Sequence, residues 1–223
     1  MVRLGPFGPC PRIAAAVSGG ADSSALAVLA RDWVRGMGGS LDALIVDHGL
    51  RVESAAEAAL TRDRMMALGI PARILTLTGL ARGPALAERA RRARYEALAE
   101  ACRQASIRDL LLGHHAGDQV ETVAMRVLRG TRNDGIAGMS AVREVQGLRL
   151  LRPLLSVHPA RLREFLTRRG VEWVEDPSNR DRVALRPRLR QGLAAASWDR
   201  LLPAIALAGE RRARDDAAIA AAL

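Results

Sequence analysis

Short runs of consecutive apolar residues alternate along this chain with longer stretches in which apolar side chains recur at helical spacing. Arg12 to Val17 predicts a buried strand ending in Ser18-Gly19-Gly20, followed by a helix from about Asp22 to Arg35 that Gly36, Gly38 and Gly39 close. Leu41 to Val46 predicts a second strand, and Ser54-Ala55-Ala56-Glu57 has the capping-box pattern that opens a helix running to Leu68. Ala72 to Thr78 predicts a third strand, Pro84 to Ala105 a long helix, Asp109 to Gly113 a fourth strand and Asp118 to Arg129 a further helix. Beyond the loop Gly130 to Gly138, Val142 to Val145 and Leu148 to Leu150 predict a hairpin, and Pro159 opens a helix that ends at Gly170. Val171 to Val174 reads as a last strand, and two Ala-rich helical stretches finish the chain.

Strand and helix in strict alternation predict the α/β class: a doubly wound, mainly parallel sheet with flanking helices and a small C-terminal α-rich extension. In such sheets ligands sit outside the carboxyl ends of the strands. The expected organisation is a catalytic domain over 1–190 and a helical extension or linker over 191–223. Leu223 falls inside a run of helical character, which raises the expectation of further domains beyond it.

Composition narrows the chemistry. All 34 basic residues are arginine, so lysine Schiff bases, lysine general bases and a G-x-x-x-x-G-K-[ST] phosphate loop are excluded. The net charge of +10 is a hint of a polyanionic partner. Between Arg143 and Arg190 stand 12 arginines against 6 acidic residues, more than half of the total excess, which marks this region as the expected nucleic-acid face. Cys10 and Cys102 are too far apart to suggest a metal knuckle or a disulfide framework, and reduced thiols are expected. No apolar run approaches the roughly 20 residues that span a bilayer, and Met1 to Pro11 lacks a secretory core, so the expected compartment is the cytoplasm.

The candidate chemistry begins at Ser18-Gly19-Gly20-Ala21-Asp22-Ser23-Ser24, between a buried strand and a helix. Backbone N–H groups and the helix dipole converge there, and paired glycines let the chain wrap a phosphate. Without a lysine to reach a terminal phosphate, the loop suits a pyrophosphate that departs, hence adenylation. The alternative is an ordinary turn with Asp22 as the helix N-cap.

This segment resembles the S-G-G-x-D-S PP-loop of the N-type ATP pyrophosphatases. Four further segments are similar to those of the tRNA isoleucine lysidine synthetases within that group. They are Val46-Asp47-His48-Gly49-Leu50-Arg51, then Ala90-Arg91 with Arg94-Tyr95, then Gly113-His114-His115-Ala116-Gly117-Asp118-Gln119-Val120-Glu121-Thr122 with Leu128-Arg129-Gly130-Thr131 and Gly138-Met139, and last Arg152-Pro153-Leu154-Leu155 with Trp173 and Asp176-Pro177-Ser178-Asn179. The resemblance runs over residues 12 to 190. It implies ATP and Mg²⁺ as cofactors, free L-lysine and a CAU-anticodon tRNA(Ile) as partners, no membrane, and a chain for which a homodimer is allowed. The implied reaction adenylates C2–O of the wobble cytidine and then replaces AMP by the ε-amine of lysine.

On that resemblance Ser18, Gly19, Gly20, Ala21, Asp22 and Ser23 hold the nucleotide phosphates, and Asp47 contacts ribose or adenine. Arg91 and Arg94, three apart on one helical face, suit bidentate phosphate contacts. Asp118 and Glu121 share a helical face and suit lysine recognition and amine positioning. Asp22 is the first expected Mg²⁺ ligand and Asp118 the second. His48 and His115, read as lying at neighbouring strand ends, are expected to donate to phosphate or accept a proton. Arg89, Arg92 and Arg103 read as solvated surface, and Tyr95 and Trp173 as core residues that also suit base stacking. Gly117 stands where these enzymes carry an Asp, and Pro187 where they carry an Asn. A tRNA thiolase of the same group, or a nucleotide- or RNA-binding module without catalysis, remain the alternatives. The thiolase is disfavoured by the lack of paired cysteines.

Overall fold

The computed structural model describes residues 1, 4–80, 83–130, 137–175, 201–212 and 214. Six strands, β1 (Arg12–Ala16), β2 (Ser40–Asp47), β3 (Ala72–Thr76), β4 (Asp109–Leu112), β5 (Val142–Val145) and β6 (Leu148–Leu151), form one sheet in the order β3-β2-β1-β4-β6-β5. All pairings are parallel except β5 with β6. The helices are α1 (Ala21–Gly36), α2 (Ser54–Ala67), α3 (Leu86–Gln104), α4 (Ala116–Leu128) and α5 (Pro159–Arg168). Residues 201–212 are also helical. The expected α/β fold with a mainly parallel sheet is the observed one.

The chain divides into two compact units. The first, made of Met1–Gly113, Val142–Pro153 and Leu162–Glu175, contains the whole sheet. Its centre is β1, where Ile13, Ala14, Ala15 and Ala16 are all buried, as a strand covered on both faces requires. On one face Ala14, Ala16, Leu44, Leu110, Leu112, Leu148 and Leu150 pack with Leu98, Ala101 and Cys102 of α3. Residues of the opposite parity, Ile13, Ala15, Ala43, Ile45, Leu111 and Leu151, are equally buried, and α1 and α2 pack on β1, β2 and β3. The sheet grows from β1 to β2 to β3 in one direction and resumes at β4 on the other side of β1. Right-handed crossovers then place α1 and α2 on one face and α3 on the other, and the switch point falls between β1 and β4.

The second unit comprises His114–Ala141, Leu154–Arg161 and Asp176–Leu223. Val120 and Val123 of α4 pack against Ile205 and Leu202 of the helical segment 201–212.

Several local expectations are corrected. Ser54 does not cap α2. The N-cap is Glu53, and the Ser54 hydroxyl donates to the Arg51 carbonyl while Glu57 pairs with the Arg51 guanidinium at 2.8 Å. Val171 to Val174 is not a strand. The Val171 N–H closes the end of α5 on the Leu166 carbonyl at 3.0 Å, and the Val174 N–H donates to the Gly19 carbonyl at 2.8 Å, a lone bond to the loop after β1 and too little to make a ladder. The long helix starts at Leu86 rather than Pro84, because Ala85 takes a left-handed conformation (φ 53°). The hairpin is as expected, closed by Gln146 and Gly147, both at positive φ, as a two-residue turn matched to strand twist requires. The boundary expected near residue 190, the Thr131 and Asp176–Asn179 motif residues and Pro187 lie outside the described residues.

Candidate functional site

The loop after β1 is shaped by its own serines. Ser23 Oγ donates to the Gly20 carbonyl (3.0 Å) and accepts from the Ser18 N–H (3.1 Å). Its one proton being used, the Ser18 hydroxyl is the donor in the 3.1 Å contact between the two side chains. The N-cap of α1 is Gly20, which offers no side chain to the first-turn N–H groups, so the reading of Asp22 as N-cap is corrected. Asp22 is the second residue of the helix, at its positive end. A helix start capped by glycine leaves backbone donors for an anion, and a nucleotide phosphate fits it.

Gly19 is gripped from outside the motif. Its φ is +86°, and a Cβ there would collide with Thr61 Oγ1 of α2 and reach Val174 Cγ2 at 3.4 Å. Thr61 is 2% exposed and donates to the Glu57 carbonyl. On the far side of the switch point, a Cβ on Gly113 would stand 3.2 Å from Ser23 N and Cα, so the end of β4 approaches the first turn of α1 at backbone distance. Thr61 and Val174 escaped sequence reasoning because nothing local links them to the loop.

At the end of β2, Asp47 Oδ1 accepts from the Gly49 N–H at 2.9 Å, an Asx turn, with Gly49 at φ +61°. His48 follows. Burial, then the Arg94 guanidinium, lower its pKa against the opposing pull of Asp47, and its Nδ1 is buried with no hydrogen-bond partner among the described residues. His48 is therefore a neutral imidazole at neutral pH.

Arg91 and Arg94 lie on α3. The Arg91 guanidinium sits over the Tyr95 ring, 5.1 Å from its centroid. Arg94 is half-buried, and burial is the main force lowering its pKa, followed by the raising effect of Tyr95 and the lowering effect of Arg91. Neither makes an ion pair among the described residues, whereas Arg92 pairs with Glu96 and Arg103 with Glu100. One helix thus carries a neutralised face and an unneutralised one. Arg152, just past β6, is 6% exposed, and burial lowers its pKa against the opposing pull of Tyr95.

In the second unit, His115 is the N-cap of α4 and not a residue at a neighbouring strand end. Its strand β4 is separated from β2 by β1. His115 Nδ1 accepts from Gly117 N (3.0 Å) and Asp118 N (3.4 Å), while Asp118 Oδ2 accepts from the His115 N–H at 2.9 Å, a reciprocal cap. The neutral ring consequently carries its proton on Nε2. It can donate there, but accepting a proton at Nδ1 would break the cap, so the expected proton-acceptor role is corrected. The Ala116 N–H is fixed by the Val157 carbonyl. Asp118 and Glu121 share a face of α4, Asp118 partly exposed and Glu121 2% exposed.

Gln119, quoted only as part of a motif, has a clear structural task. Its amide donates to the Met139 carbonyl (3.1 Å) and accepts from the Met139 N–H (2.6 Å), and Arg126 donates to the Gly138 carbonyl at 2.8 Å. The two motif segments are latched together. No group of three or more His, Cys, Asp or Glu side chains gathers among the described residues. No helix of the described residues is long and apolar enough to cross a membrane.

Comparison with known proteins agrees with this architecture. The chain is 44% identical over 187 residues to a tRNA(Ile)-lysidine synthase of a Bradyrhizobium species, covering 83% of the chain and 52% of that relative. It is 40% identical over 214 residues to the tRNA(Ile)-lysidine synthase of Bradyrhizobium diazoefficiens (94% and 59%), and 41% identical over 226 residues to that of Brucella suis (98% and 50%). The chain spans about half the length of these curated relatives. Among solved structures, the U34-tRNA thiolase NcsA from Methanococcus maripaludis, determined with its 4Fe–4S cluster, superposes with a TM-score of 0.75 at 16% identity, covering 93% of this chain and 75% of that one. That likeness concerns the fold. The family model described as a PP-loop domain matches residues 8–196, and with the serine-shaped loop after β1 at the switch point of the sheet, the chain belongs to the PP-loop domain family.

Proposed function

We propose that this chain carries the catalytic part of an ATP-dependent tRNA(Ile)-lysidine synthase, occupying about residues 1–190, with 191–223 as a helical extension. The observation that carries the reading is the shared name of relatives 40–44% identical across 83–98% of the chain, joined to a lysine-free phosphate loop at an open helix start. In the first step the C2 oxygen of the wobble cytidine attacks the α-phosphorus of ATP and pyrophosphate leaves. In the second, the ε-amine of free lysine attacks C2, AMP leaves and the amine loses a proton.

In the first unit, the N–H groups from Gly19 to Ser23 hold the departing phosphates, Ala21 adds the first helical donor, and the Ser18 and Ser23 hydroxyls exchange their bonds within the loop for bonds to phosphate oxygens. Arg91 and Arg94, without carboxylate partners among the described residues, take the charge that develops on the α-phosphate. A magnesium ion at Asp22 would offset triphosphate charge, and Asp118 in the second unit is a separate candidate for holding a cation. Asp47 keeps Oδ2 for ribose or adenine, and neutral His48 offers a hydrogen bond rather than a charge. In the second unit, Asp118 and Glu121 recognise the lysine ammonium, and His115 donates through Nε2. The arginine-rich stretch from Arg143 meets the tRNA backbone.

Thiolation is disfavoured by the two cysteines. Burial pushes the Cys102 thiol up to about 11, and Cys10 is exposed, so no sulfur-relay pair is formed. A pulse–chase tests the two-step reading. With α-labelled ATP, Mg²⁺ and tRNA(Ile) but no lysine, label should enter the tRNA, and a lysine chase should release it as AMP. Label that never enters tRNA, or that leaves equally fast without lysine, would reject the proposal.

A further inference from the structure

Val171 to Val174 has the residue types of a strand yet joins no ladder of the sheet, and its bonds show what it does instead. The segment is held at three points, all within the first unit. The Val171 N–H donates to the Leu166 carbonyl of α5 at 3.0 Å, Glu172 pairs with Arg64 of α2 at 2.7 Å, and the Val174 N–H donates to the Gly19 carbonyl at 2.8 Å. Thr61, three residues before Arg64 on α2, fills the space beside Gly19 that a side chain there would need, and the Val174 side chain borders the same space. The segment and α2 thus meet each other through an ion pair and meet the phosphate loop at one residue.

The glycines that let a chain wrap phosphate also leave it loose, because glycine loses the most conformational freedom on ordering. Within the loop the Gly20 carbonyl is taken by the Ser23 hydroxyl and the Ser24 N–H, both at 3.0 Å. The Gly19 carbonyl receives only a long 3.4 Å bond from the Ser24 hydroxyl, and its short bond comes from Val174. In a trans peptide the carbonyl and the following N–H point opposite ways, so anchoring the Gly19 carbonyl on Val174 turns the Gly20 N–H away from that segment. The Gly20 N–H has no partner among the described residues. We propose that Val171–Glu175 is a strap and that Val174 and Thr61 are positioning residues: together they fix the Gly19–Gly20 peptide before nucleotide arrives, with the Gly20 N–H presented to the departing phosphates. Donors fixed in advance cost nothing to order on binding. The inference rests on the reading of this loop as the holder of pyrophosphate under the proposed function, and deepens it.

The test is equilibrium binding of three probes to the full chain, Mg·ATP, magnesium pyrophosphate and AMP, with no tRNA or lysine present. Val174→Pro removes the N–H of the strap, and Thr61→Ala removes the contact on Gly19 while leaving the strap intact. Each is expected to weaken ATP and pyrophosphate binding about three- to tenfold, the range that one lost hydrogen bond spans, and to leave AMP affinity unchanged. Thr61→Ser, which keeps the hydroxyl, should bind as the parent chain does. In a Gly19→Ala background both effects should disappear, because the peptide they hold is already displaced. Should Val174→Pro not fold, Thr61→Ala decides the matter alone. Equal losses for AMP and pyrophosphate would overturn the positioning role, since the substitutions would then act on the fold at large. Unchanged ATP affinity in either folded variant while Gly19→Ala loses affinity would overturn it too, and leave the loop's phosphate assignment standing. Unchanged affinity in Gly19→Ala itself would overturn both.

Discussion

At the scale of single residues, the loop after β1 is held by contacts of two kinds, and only one was readable in sequence. Ser18, Gly19, Gly20 and Ser23 announce themselves by type and spacing, because a chain that wraps phosphate needs glycine and short hydroxyls. Thr61 and Val174 do not, since each touches Gly19 across a long stretch of chain and each is of ordinary type. Gly19→Ala combines a left-handed φ with a clash against Thr61, so ATP binding is expected to fall by at least tenfold, measured by equilibrium binding. Two titrations follow from burial. Burial, then Arg94, disfavour a charged His48, so the unfolded chain takes up a proton below about pH 6.5 that the folded one refuses. Stability should fall with decreasing pH there, and His48→Asn should flatten that limb of a denaturation series. For Cys102, raised to about 11, an aromatic disulfide reagent at pH 8 should label Cys10 and spare Cys102, and stability should fall as pH rises from 9 toward 11. Fast labelling of both thiols in the folded protein would contradict the buried placement.

At the scale of elements, strand and helix types were legible from the alternation of apolar runs with 3.6-residue periodicity, and the helix ends were not. Asp118 was read as the start of α4, yet His115 caps it, because a histidine accepting through Nδ1 has no sequence signature to match Ser or Asp. The Ser54 pattern failed for the converse reason: the residue types of a capping box were present, but Arg51 claimed both the Ser54 hydroxyl and the Glu57 carboxylate. Loss of the cap in His115→Ala should cost about 1 kcal/mol in urea denaturation, the usual worth of an N-cap. His115→Asn, which can accept the same N–H groups, should recover most of it. Leu110, buried on the α3 face of β4, belongs to the core proper, and Leu110→Ala should cost about 2–5 kcal/mol. A loss below 1 kcal/mol would contradict a close-packed α3–sheet layer.

At the scale of the whole molecule, the arginine count divides into two populations. Many arginines are neutralised locally, as in Arg31–Asp32, Arg62–Asp63, Arg149–Asp109 and Arg168–Glu164. The exposed ones, Arg62–Asp63 and Arg168–Glu164, contribute little to stability but remove charge from the surface field. Arg91 and Arg94 have no such partner among the described residues, and only the structure separates them from their neighbours on the same helix, since sequence shows an arginine and not its counter-ion. The Gln119 to Met139 latch was equally invisible, being a contact twenty residues apart within one motif region. The central claim is that the whole chain joins lysine to the wobble cytidine. Its most direct test is nucleoside mass analysis of CAU-anticodon tRNA(Ile) after incubation with the protein, ATP, Mg²⁺ and lysine, with released pyrophosphate counted in parallel. The account expects a lysine-dependent lysidine nucleoside with one pyrophosphate per nucleoside formed. Pyrophosphate release with no lysine-bearing nucleoside, or a sulfur-bearing nucleoside once a sulfur donor is supplied, would contradict it.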